Sequence, residues 1–88
     1  MDGNEVRQSL GKFVSDTFIK GRTDKVLRDD DSFFENEIID STGVLELVLF
    51  IEETFGFRVE DEEIVPENLD SINRLVKYVR SKTDGHTR

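Results

Sequence analysis

Eighty-eight residues without a cysteine make one small domain whose core must form without disulfides or thiolate-bound metal. Twenty acids against twelve bases give a net charge of −8, which argues against nucleic acid as a partner and suits either simple solubility of a small domain or encounters with basic protein surfaces. The N-terminal stretch MDGNEVRQ is polar and no apolar run approaches the ~20 residues that span a bilayer, so no membrane is implied and a soluble, cytoplasmic protein is expected.

The spacing predicts a first helix over Asn4–Lys20, in which Val6, Leu10, Phe13, Val14 and Phe18 form one apolar stripe. Gly21 stands where a left-handed residue commonly ends a helix. A long connection follows from Arg22 to Asp40, broken by Asp29, Asp30, Asp31 and Ser32 and anchored by Phe33, Phe34, Ile38 and Ile39. A connection of this length in a small domain is often functional.

A second helix is expected over Ser41–Phe55, closed by Gly56. At about 100° per residue, Val44, Leu47, Val48, Ile51 and Phe55 gather on an inner face. Thr42, Glu46, Leu49 and Glu53, flanked by Leu45 and Glu52, turn away from it. Asp61–Val65 can form one helical turn, which Pro66 prevents from continuing. The last helix is expected over Asp70–Lys82, capped by Asp70 or Asn68 and striped by Ile72, Leu75, Val76 and Val79. The tail from Thr83 to Arg88 has no apolar residue and is expected to fray. The fold class is all-α: a small bundle of three main helices and one short one, a single domain over residues 1–82 and a disordered tail over 83–88.

Nucleophilic catalysis lacks a base, because the sole histidine is His86 in that tail. The acids of the long connection do not follow a calcium loop: counting from Asp29, positions 5 and 6 are Phe33 and Phe34 instead of a ligand and a glycine. No metal is therefore assigned, and a solvated charged loop is the plainer account. Ser41 carries more information. It opens an apolar helix after Asp40, so it reads either as an ordinary cap or as a serine placed to hold a phosphodiester, since a helix N-terminus offers N–H groups and a positive dipole end.

The run DSTGVLELVLFIEETF from Asp40 resembles the acyl carrier protein family, with Asp40, Ser41, Glu46, Leu47, Val48, Glu52, Glu53 and Phe55 matching its pattern. FFENEIID upstream, VEDEEI downstream and Val76, Tyr78 and Val79 of the last helix also fit. The resemblance implies an acyl-carrier-like bundle that is not itself an enzyme. It further implies that Ser41, with Asp40 as its motif neighbour, receives 4′-phosphopantetheine from coenzyme A through a phosphopantetheinyl transferase. The arm's terminal thiol then holds acyl groups as thioesters. Thr42, Leu45, Glu46, Leu49, Glu52 and Glu53 would form the docking face. The implied partners are that transferase and either an AMP-forming acyl-activating ligase or an acyltransferase or ketosynthase; a monomer is expected.

Thr42 and Gly43 depart from the family's leucine and acid, and ENEIIDST and VPENLDSI look closer to stand-alone D-alanyl or peptidyl carriers. Three functions therefore stay open on sequence: an acyl carrier in fatty-acid or specialised lipid metabolism, an aminoacyl or peptidyl carrier, and an unmodified helical interaction module.

Overall fold

Four α-helices, a π turn and a short 3₁₀ turn are the regular elements of a computed structural model that describes residues 3–21 and 28–84. Among these residues every regular element is helical. The order is α1 (Gly3–Val14), a π turn (Ser15–Ile19), α2 (Ser41–Phe55), a 3₁₀ turn (Asp61–Glu63), α3 (Pro66–Leu69) and α4 (Ile72–Asp84). The long connection and the final tail were expected at residues 22–40 and 83–88; of these, 22–27 and 85–88, with His86, lie outside the described residues.

The apolar stripe of α1 buries Val6, Leu10 and Val14, and packs chiefly on α4. The helix does not run on regularly to Lys20. Ser15–Ile19 widens into a π turn, in which the Lys20 N–H donates to the Ser15 carbonyl at 2.8 Å. One extra residue in that turn leaves Phe18 half-buried, not in line with the fully buried stripe. Gly21, at φ +87°, ends the segment as expected.

The connection into α2 is held by Asp70. Its carboxylate accepts hydrogen bonds from the Ser32 hydroxyl at 2.5 Å and the Phe34 N–H at 3.1 Å, while its carbonyl accepts the Phe33 N–H at 3.0 Å. Asp29 and Asp30 are tied to Asn73 of α4 through the Asp29 carbonyl and the Asp30 carboxylate. Phe33, Ile38 and Ile39 are buried as anchors; Phe34 is not, and remains 43% exposed.

Three expectations at the C-terminal half need correction. Pro66 does not merely stop a helix: it opens α3, as its fixed φ and missing N–H suit the first helical position. Neither Asp70 nor Asn68 caps α4. Ser71 does, its hydroxyl accepting the Arg74 N–H at 3.1 Å, because Asp70 is engaged by the loop and the Asn68 amide by the Glu63 carbonyl. α4 also continues two residues past Lys82, to Asp84.

The core joins α1, α2, α4 and the two loops, with Leu47, Ile51, Leu75 and Val79 fully enclosed. Tyr78 belongs to it as well. Its ring meets Phe57 edge-on at 5.8 Å, and its hydroxyl donates to Glu63 at 3.0 Å. Lys82 Nζ reaches both oxygens of the same carboxylate at 3.0 Å. The Glu60 N–H first, then Lys82 and Tyr78, hold Glu63 below the usual carboxylate range against the opposing effect of burial. A depressed folded-state pKa stabilises the fold above the ordinary value and ceases to do so as pH falls through the folded one. Melting temperature should therefore fall on acidification below about pH 4.5, and less steeply in Glu63→Gln. Parallel slopes for the two proteins would show that Glu63 contributes nothing to acid sensitivity.

Candidate functional site

Asp40 ends the loop in an extended conformation, at φ −105° and ψ −172°, and its carboxylate accepts the Gly43 N–H at 2.8 Å. Asp40 is thus the cap of α2, which corrects the reading of Ser41 as the cap. Ser41 is the first helical residue and is exposed. Its N–H and that of Thr42 are among the first donors of the helix, which have no acceptor within it. They lie at the positive end of the helix dipole. An exposed hydroxyl beside such donors fits a phosphodiester.

Five of the six expected docking side chains come together on the outward face of α2. Thr42, Glu46 and Glu53 are exposed, with Leu45 at 61% and Leu49 at 58%. Glu52 does not join them. It is half-buried, and its carboxylate accepts the Val59 N–H at 2.9 Å, fixing the segment that leaves α2. That segment begins at Gly56, whose φ of +74° closes the helix.

Two features beside Ser41 were not foreseen. Val44, expected on the inner face, is only half-buried. It borders an apolar cleft of about 110 Å³ shared with Phe34, Ile64, Val65, Pro66 and Leu69. Val44 lies three residues after Ser41, so it shares that side of the helix. The only sequence signal for this cleft was the apolar run around Pro66. Gly43, on the opposite side of the turn, is buried with no room for a side chain.

Among the described residues there is no histidine beside Ser41, and no three His, Cys, Asp or Glu side chains converge as a metal site. Nor, among them, is any helix long and apolar enough to cross a membrane. Ser41 is an exposed serine at the head of a capped helix.

Comparison with known proteins agrees. Residues 20–79 match the family model described as a phosphopantetheine attachment site. The acyl carrier protein of Buchnera aphidicola subsp. Schizaphis graminum is 28% identical over 79 residues, covering 90% of this chain and 95% of that one. The D-alanyl carrier protein of Abiotrophia defectiva is 34% identical over 78 residues, with 89% and 91% covered. The acyl carrier protein of Lactobacillus johnsonii is 30% identical over 82 residues, with 92% and 96% covered.

The chain belongs to the phosphopantetheine-bearing carrier protein family. It is a non-catalytic carrier whose prosthetic group is 4′-phosphopantetheine on a serine. Its family implies a phosphopantetheinyl transferase and acyl-handling enzymes as partners.

Proposed function

We propose that Ser41 is the serine that bears the arm and that the chain, working as a monomer in the cytoplasm, carries acyl groups for fatty-acid or specialised lipid metabolism. When bound, 4′-phosphopantetheine supplies the thiol that holds cargo as a thioester, a group this cysteine-free chain lacks. The observation that carries the assignment is a comparison of serines. Within residues 20–79, matched to the family, stand Ser32, Ser41 and Ser71. Ser32 donates to Asp70 and accepts the Glu35 N–H, while Ser71 is buried and caps α4. Ser41 is exposed, at the head of a capped helix.

The apolar cleft beside Val44 supports an acyl cargo. It offers cover to a short hydrocarbon segment, whereas an aminoacyl ammonium would be desolvated there at a cost. Similarity to a D-alanyl carrier, at 34% identity, keeps aminoacyl cargo as the second reading. The outward acids of α2 suit basic surfaces on the transferase and on a loading enzyme, whether an AMP-forming ligase or an acyltransferase or ketosynthase.

Incubation with coenzyme A and a broad-specificity phosphopantetheinyl transferase should add one phosphopantetheine mass to the wild type and none to Ser41→Ala. Modification that persists in Ser41→Ala would refute the assignment. A wild-type chain left unmodified would favour an interaction module with no arm.

A further inference from the structure

On the far side of the turn that carries Ser41, Gly43 meets Phe18 of the π turn that follows α1. A Cβ placed on Gly43 would lie 2.9 Å from Phe18 Cε1, 3.0 Å from Ile39 Cγ2 and 3.4 Å from the capping Asp40 Oδ1. Carbon atoms in contact settle at about 3.5–4.0 Å, so a methyl group there must displace the ring, the loop or the cap. Glycine is a poor helix former, and alanine would serve this turn better by propensity alone. What glycine permits is the approach of Phe18.

Phe18 reaches this position from the π turn, the place where α1 departs from regular geometry. Such turns recur at functional sites. From Phe18 a line of rings runs down the seam between α1 and α2. Phe18 meets Phe13 edge-on at 5.8 Å, Phe13 stacks on Phe50 at 4.1 Å, and Phe50 meets Phe55 edge-on at 6.3 Å. Beside the stacked pair, a groove of about 350 Å³ opens between the two helices. Phe18 is the ring of this line at the Ser41 end.

We infer that Gly43 and Phe18 are a size-matched pair of positioning residues: Phe18, pressed on the Gly43 backbone, fixes the Ser41 turn for phosphopantetheine transfer. This rests on Ser41 being the acceptor. In the transfer, a bond forms between Ser41 Oγ and the phosphorus of coenzyme A that carries the pantetheine. The bond from that phosphorus to the bridging oxygen breaks, 3′,5′-adenosine bisphosphate leaves, and the serine proton passes to a base on the transferase. Such a displacement depends on where the oxygen stands, and a shift of about 1 Å can cost up to 100-fold in rate. The outward residues Glu46 and Glu53 are untouched by changes at Gly43 or Phe18, so docking should survive them.

The test measures kcat and KM of the transferase for wild type, Gly43→Ala, Phe18→Ala, the double variant Gly43→Ala with Phe18→Leu, and Val79→Ala. Val79 is fully buried on α4, so its truncation serves as a control for lost stability. Gly43→Ala and Phe18→Ala should each lower kcat about 10- to 100-fold with KM unchanged. The double variant should recover most of the loss, because leucine relieves the crowding. Val79→Ala should melt earlier yet keep the wild-type kcat below its melting temperature.

Wild-type kcat in Gly43→Ala would overturn the pairing. Should that variant not fold, wild-type kcat in Phe18→Ala would do the same. A loss in Val79→Ala that tracks its melting temperature would reduce the effect to stability, and a rise in KM alone would move it to docking; either overturns the inference. A wild-type chain that accepts no phosphopantetheine overturns the Ser41 assignment and this inference with it, whereas a modified wild type with an unaffected Gly43→Ala overturns the inference alone.

Discussion

Leu47→Ala should lose about 2–5 kcal/mol of stability, while Leu49→Ala, two residues further along α2, should change it by about 0.5 kcal/mol or less. The two side chains are chemically identical and differ in what surrounds them. Leu47 is fully enclosed in the core, and Leu49 is 58% exposed on the outward face. Truncating Leu47 removes its transfer free energy and leaves a cavity that neighbours fill only in part. A domain of this size is stabilised by roughly 5–15 kcal/mol in all, so the loss should be visible as a large shift of the urea midpoint. Leu49→Ala vacates space that water already reaches. Equal losses in the two variants would mean that the faces of α2 had been misassigned.

That contrast was legible in the sequence because it depends on the helical period alone. So were the glycine that ends each of the first two long helices and the Asp40–Ser41 pair at the head of α2, since these are local signals. What escaped was non-local. Phe33 and Phe34 are adjacent and chemically alike, yet one is buried and the other stands at the mouth of the cleft. Among the contacts that distinguish them are their different bonds to Asp70, more than 30 residues away: the Phe33 N–H donates to its carbonyl and the Phe34 N–H to its carboxylate.

Asp70 looked like a helix cap for the same reason: its partners Ser32 and Phe34 lie on another segment. Glu52 sits at the edge of the outward face by angle, and its bond to Val59 depends on how the chain folds back after Gly56. The π turn at Ser15–Ile19 has no composition signature. Gly43 registered in sequence only as a departure from a family pattern, because the ring that explains it comes from the π turn after α1.

Glu46→Lys combined with Glu53→Lys should leave the thermal melt close to wild type and cut the rate of phosphopantetheine transfer to Ser41 sharply. Both side chains are exposed on α2, so their reversal should move stability by about 0.5 kcal/mol or less. At an interface with a basic partner, the same reversal sets like charge against like. That can cost several kcal/mol and also slows the encounter, so a fall in kcat/KM of about 100-fold or more is expected. Glu52→Lys supplies the internal comparison. Its carboxylate holds the Val59 N–H, so this single reversal should lower the melting temperature, which the double reversal should not. Low salt should widen the gap in transfer rate between wild type and the doubly reversed protein, because screening weakens exposed charges most. Transfer at the wild-type rate in the doubly reversed protein would remove α2 as the docking face. An unfolded double variant would instead place Glu46 and Glu53 among the residues that hold the bundle together, against their exposure.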